Sequence, residues 1–249
     1  KPAIEVTGLD VVAGERTLLS GVDMRAYPGE VTGLIGPNGA GKSTLLGAIG
    51  GDSEPAAGAV RVGGTDLRDL SPDAHLSRLS IVFQTVQLLE GSIAENIRIA
   101  RPDATEADMW AALERARVAD EIRSMPSGLD TQLGEQGLGI SGGQAQRVGV
   151  ARALIFDPNI LLMDEPFAAV DPIVRHGLQE MVAQLQRDFH KTIILVTHDH
   201  NVAKSASRII EISDGNIISD QPYTPETEDA PLEKQQLQRN TQKKISSWR

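Results

Sequence analysis

Residues 36–44 read Gly36-Pro37-Asn38-Gly39-Ala40-Gly41-Lys42-Ser43-Thr44, a glycine-rich loop closed by one lysine and two hydroxyls. Its three glycines permit positive φ and close main-chain approach, so backbone N–H groups can turn inward on an anion. At this spacing Lys42 reaches the β- and γ-phosphates of a nucleotide, and the Ser43 hydroxyl is placed for magnesium. Further along stands Ile140-Ser141-Gly142-Gly143-Gln144, where Ser141 can cap a helix whose N–H groups, hydroxyl and dipole face an anion, so that this segment can close on the same phosphate from another molecule. The apolar run Ile160–Met163 then ends in Asp164-Glu165-Pro166. A strand-end Asp164 can hold Mg2+, directly or through water, and Glu165 beside it can act as general base toward an attacking water. Together these segments spell ATP hydrolysis coupled to closure of two molecules.

The elements that must position these residues are legible as an α/β pattern. Val31–Ile35 is a short apolar run suited to a buried strand before the phosphate loop, and Ser43–Ile49 can start the helix after it. Residues 1–35 alternate apolar runs with turns and read as antiparallel strands covering the nucleotide side of the core. Val60–Val62 and Ser80–Phe83 are further strands, the second leading into Gln84. From Gln84 to about Ser141 the pattern turns helical, with one helix expected over Ala107–Ala119. Val148, Ala151, Leu154 and Ile155 line one face of a helix stopped by Asp157-Pro158. Strands at 160–163 and 193–196 flank a helical stretch at 173–189, which implies a largely parallel sheet covered on both faces. Residues 209–218 form a hairpin turning at Asp214-Gly215. The expected division is one domain over 1–219, with a helical subdomain inserted at about 85–150, and a polar tail over 220–249.

Composition narrows the classes. The net charge of −10 argues against a broad nucleic-acid interface, so no nucleic acid is expected as a partner. The absence of cysteine excludes disulfides and thiolate metal sites. The longest apolar stretches, such as Ile193–Val196, fall far short of a membrane span. The first residue is Lys1, which leaves a fusion to an upstream segment open.

In their order along the chain, these motifs resemble the nucleotide-binding domain of ATP-binding cassette (ABC) transporters over about residues 3–219. The resemblance implies a P-loop NTPase (RecA-like) core with a mostly parallel sheet, an N-terminal antiparallel β subdomain and a helical insertion. It makes Ser141-Gly142-Gly143-Gln144 the family signature, with Ile140 in place of a common leucine. It makes Gln84 the residue linking Mg2+ or the attacking water to the insertion, Asp171 a residue of the loop that crosses to a partner, and His198 the contact to γ-phosphate. The resemblance also implies head-to-tail pairing with a second nucleotide-binding domain, each ATP lying between one phosphate loop and the other signature. A transmembrane domain, fused or separate, and the cytoplasmic face of a membrane complete the implied setting.

Two departures stand out. Where the family usually stacks adenine on an aromatic ring, this chain reads Val11-Val12-Ala13-Gly14-Glu15, and Tyr27 comes too late to replace it. Leu89–Ile97 and Gly134–Gly137 look exporter-like, whereas Thr197-His198-Asp199 and Ser207–Ser219 look like separate ATPase subunits of importers or of tripartite and lipoprotein systems. The balance leans to export. An ABC protein of nucleic-acid maintenance or translation is the alternative class, disfavoured by the acidic charge and by the lack of a second cassette or coiled-coil insertion. A degraded, purely regulatory cassette is disfavoured by the intact Lys42, Asp164, Glu165 and His198.

Overall fold

The computed structural model describes residues 1–134, 139–166, 172–199, 203 and 205–223. Asp171, residues 135–137 and residues 224–249 of the expected tail lie outside them. The chain opens with the hairpin β1 (Ile4–Ala13) and β2 (Arg16–Ala26), then β3 (Val31–Ile35) and α1 (Lys42–Gly50). Strands β4 (Ala57–Val62) and β5 (Thr65–Asp66), the short α2 (Pro72–Leu76) and β6 (Leu79–Val82) follow. The insertion holds β7 (Gly91–Ser92), α3 (Ile93–Arg98), α4 (Glu106–Arg115), α5 (Ala119–Arg123) and β8 (Gln132–Leu133). The chain then returns through α6 (Gly142–Leu154), β9 (Ile160–Asp164), α7 (Pro172–Phe189), β10 (Thr192–Thr197), β11 (Arg208–Ser213) and β12 (Asn216–Pro222).

Six strands form the central sheet in the order β12-β11-β3-β10-β9-β6, parallel except for β12. An antiparallel sheet, β2-β1-β4-β5, stands apart from it. Every residue of β3 and β10 is buried, which explains why these strands read as continuous apolar runs rather than alternating ones. Alternate residues of the central strands serve two cores. Leu161, Met163, Ile193 and Leu195 pack with the helices of the insertion and α7. Leu162, Ile194 and Val196 pack instead with α1 and the antiparallel sheet. Helix α1, which begins at the phosphate loop's lysine, is thus clasped through Leu45, Leu46, Ala48 and Ile49.

Three expectations change at the level of elements. The single helix expected over Ala107–Ala119 is two, because Arg117 takes a left-handed backbone (φ 55°) and reverses the chain. Ala116 and Val118 on either side are both buried, a spacing that no straight helix satisfies. The insertion also contains the small antiparallel ribbon β7·β8, too short to leave a periodic pattern. At the other end, β12 runs through Pro222, and Asp220 accepts two hydrogen bonds of 2.6 Å from Arg208, so residues 220–222 belong to the sheet.

Candidate functional site

Parallel pairing sets β3, β10 and β9 level with one another: Thr197 lies opposite Ile35, and Val196 opposite Asp164. Their carboxyl ends therefore open onto one crevice, the usual ligand position in such sheets. The phosphate loop leaves β3 there, Asp164 closes β9, His198 follows β10, and Gln84 lies two residues beyond β6.

The loop holds its shape through contacts that exclude side chains. A Cβ on Gly36 (φ 153°) would lie 2.1 Å from the Ile212 carbonyl oxygen, and one on Gly41 (φ 104°) 2.7 Å from Leu19 Cδ2. The buried Lys42 curls back so that Nζ donates to the carbonyls of Gly36 (2.8 Å) and Pro37 (3.0 Å). Those are neutral acceptors for an ammonium, and phosphate oxygens would replace them with anionic ones, giving stronger bonds charged at both ends. The β11–β12 turn buttresses the loop: Gly215 donates to Ala40 O (2.9 Å), and Ser20 donates to Gly215 O (3.0 Å).

The acidic pair is built from two different environments. Asp164 Oδ1 is buried with no hydrogen-bond partner, and burial pushes its carboxyl above the usual aspartate range. The Ser43 hydroxyl and the Lys42 charge oppose that rise, and the Glu165 charge adds to it. An orphaned carboxylate oxygen beside a serine hydroxyl is the donor set that a hard divalent cation requires, so these residues fit Mg2+. Glu165 sits at φ 47°, an unfavourable backbone for a non-glycine residue, fixed by donation of its N–H to Val196 O (3.0 Å). His198 Nδ1 lies 2.9 Å from Glu165 Oε1. Asp199, next in sequence, is tied by Arg175 of α7 at 3.0 Å and donates its N–H to Thr197 Oγ1.

A cavity of about 650 Å³ joins Asn38, Gly39, Gly41, Lys42, Ser43, Thr44, Gln84, Glu165 and His198. Arg16, Thr17, Leu18, Asp214 and Gly215 also line it. These five were not among the sequence candidates. The Asp-Gly turn was readable as a turn, but its place against the phosphate loop depends on β11 pairing with β3. The described lining contains no Phe, Tyr or Trp ring. Ser141, Gly142, Gly143 and Gln144 are brought together at the start of α6, but they do not line this cavity. Ser141 caps that helix reciprocally with Gln144 (3.2 and 2.9 Å), and both Ser141 and Gly142 are exposed.

A phosphate loop, an acidic pair and a histidine at the ends of adjacent parallel strands define a P-loop nucleoside triphosphatase. Residues 19–168 match the sequence profile of the ABC transporter family, and the chain belongs to that family. It is 39% identical over 79% of its length to the mycobactin import ATP-binding/permease protein IrtA of Mycolicibacterium thermoresistibile, covering 21% of that protein. It is 35% identical over 82% of its length to the β-(1→2)glucan export ATP-binding/permease protein NdvA of Nitrobacter winogradskyi, covering 33% of it. Among solved structures, a bacterial Atm1-family ABC exporter with ATP bound superposes with a TM-score of 0.80 at 29% identity, over 90% of this chain and 39% of that one. The chain thus spans a fifth to a third of the two curated relatives, and it is an ABC ATPase domain of the exporter-like kind.

The burial of Asp164 predicts a trade of stability for function. Because its folded pKa is raised, ionisation costs the folded state: the free chain loses stability as pH rises from the ordinary aspartate range through the raised value. Asp164→Asn should therefore raise the Tm of the metal- and nucleotide-free protein at neutral pH by about 2 °C or more. Calorimetry showing a lowered Tm would contradict this reading of the site.

Proposed function

We propose that this chain binds Mg·ATP in the crevice at the strand ends and hydrolyses it while paired head-to-tail with a second nucleotide-binding domain. The motor so formed drives a membrane permease. The observation that carries this reading is the split in the site. Lys42, Ser43, Glu165 and His198 converge on one cavity, whereas the anion-ready start of α6 faces solvent elsewhere. A second domain supplying its own Ser141-Gly142-Gly143 would close the cavity over the γ-phosphate.

In this reading the loop N–H groups and Lys42 hold the β- and γ-phosphates and neutralise charge as it develops. A magnesium ion, when bound by Ser43 and Asp164 with Gln84 nearby, would add its charge to that neutralisation. Glu165 orients and deprotonates the attacking water through the carboxylate oxygen that His198 does not engage. His198, engaged by Glu165 at Nδ1 and followed in the chain by Asp199, which Arg175 anchors, presents its second ring nitrogen to the γ-phosphate. Asp171 is proposed to cross to the partner domain.

A second surface supports coupling to a permease. A cavity of about 470 Å³ opens between the end of β6, the end of α3 and α6, lined by Val82, Val86, Ala100 and Phe156. Phe83 and Ile99 stand at it with more than half of their surface exposed. Among the described residues no helix is long and apolar enough to cross a membrane. The relatives above, import and export alike, are named ATP-binding/permease proteins. We assign this groove to a segment of the permease reaching the cytoplasmic face, with transport in the export direction preferred on the match to an exporter structure.

Two measurements test this. Glu165→Gln in the intact protein should bind ATP with unchanged affinity but turn over about 10²–10⁴-fold more slowly; hydrolysis at the wild-type rate would reject Glu165 as the base. A photo-crosslinking amino acid placed at Ile99 should capture peptides from the permease. Crosslinks confined to this domain or to lipid would remove the groove from the coupling path.

A further inference from the structure

The start of α6 is held from outside by a residue that no sequence motif marks. Glu121, on α5, accepts a hydrogen bond from Gln144 Nε2 at 2.8 Å and a charged one from Arg147 Nη1 at 2.7 Å. Its neighbours Ala119 and Ile122 are buried in the insertion's core, which anchors the carboxylate's backbone. Arg147 donates a second bond, to the Arg117 carbonyl oxygen, at the left-handed turn between α4 and α5.

The Gln144 amide has a donor end and an acceptor end, and only one orientation serves the cap. With Oε1 toward Ser141 it accepts the Ser141 N–H at 2.9 Å, whereas the opposite flip would set NH2 against N–H. A carboxylate accepts and never donates, so Glu121 on the far side of the amide selects the productive flip. That flip closes the capping box, in which Ser141 Oγ accepts the Gln144 N–H at 3.2 Å. The Ser141 hydroxyl then makes no donated bond among the described residues, and its proton is left for an incoming anion.

We propose that Glu121 is a positioning residue for ATP hydrolysis: by fixing the Gln144 amide it preorganises Ser141 to meet the γ-phosphate held by a second domain. This rests on the reading of Ser141 as a phosphate contact. It goes beyond that reading in placing control of the contact on α5, at the junction with α4, so that a shift of the insertion's helices retunes the signature. Preorganised donors lower a barrier because they do not reorient during the reaction.

The test is a double-variant cycle on the intact protein, with ATP turnover and equilibrium ATP binding measured side by side. Losing a charge-assisted hydrogen bond that acts on the transition state should lower kcat about tenfold in Glu121→Ala. ATP binding to the open site, which Glu121 does not touch, should stay within about twofold, less than one such bond is worth. Gln144→Ala should lose a similar factor, and Glu121→Ala/Gln144→Ala should fall no further, because both act through one amide. Glu121→Gln keeps the packing while losing the charge and one acceptor, and should lose at least about threefold. Wild-type turnover in either Glu121 variant, or losses that multiply in the double variant, would overturn the proposal. Glu165→Gln run in parallel separates the two levels of the argument. If it hydrolyses ATP at the wild-type rate, the hydrolysis reading fails and the Glu121 role falls with it; if it is inactive while Glu121→Ala is unimpaired, only the Glu121 role fails.

Discussion

The parallel register of β3, β10 and β9 is the constraint from which the site follows. A one-residue slip between strands turns every side chain to the opposite face. Here it would exchange the two cores, because Leu161, Met163, Ile193 and Leu195 serve one and Leu162, Ile194 and Val196 the other. Apolar burial on both faces therefore locks the register, and the register sets Asp164, His198 and the phosphate loop at one height. No contact within the site is strong enough to do this alone. The Glu165–His198 hydrogen bond, the strained Glu165 backbone and the unpartnered Asp164 oxygen all depend on strands held from elsewhere.

The charged groups of the site are held at a cost to the fold. Lys42 spends its ammonium on two carbonyls of its own loop, and Asp164 keeps one oxygen buried and unused. Each is a cost to the fold that a phosphate and a divalent cation would relieve, which is the behaviour expected where binding energy is directed to chemistry rather than to stability. Ile93, Ile97, Leu113 and Ile122 of the insertion share one core with Leu161, Met163, Ile193 and Leu195 of the central strands, and Val86 packs against it. A Cβ on Gly149 would lie 2.4 Å from Val86 Cγ1, so α6 and the segment after Gln84 are in direct contact.

The placement of the short contiguous motifs was legible, because local spacing carries it: the glycine loop between β3 and α1, the acidic pair at the end of β9 and the helix cap at Ser141. The central strands were legible because burial on both faces leaves uninterrupted apolar runs. What escaped depends on contacts between distant segments. Arg16–Leu18 and the Asp214-Gly215 turn line the cavity only because the antiparallel sheet and β11 converge on the phosphate loop. The break between α4 and α5 hides in an apolar pattern that suits a helix until Arg117 turns left-handed. Glu121 lies in an ordinary charged helix, and its contacts to Gln144 (2.8 Å) and Arg147 (2.7 Å) single it out.

The central claim is that each chain carries half of a site, and Gly142 offers the most direct test. A Cβ at Gly142 meets nothing within 4 Å, so Gly142→Asp fits the single chain, and an acid in a helix's first turn suits its dipole. Its only expected conflict is with a phosphate brought by another domain. ATP binding and ATP turnover of Gly142→Asp, measured together in the intact protein, should show wild-type binding with turnover reduced about a hundredfold, the scale of losing a preorganised anion contact. Wild-type turnover would mean that the site is complete within one chain, and the account of a split site would be wrong.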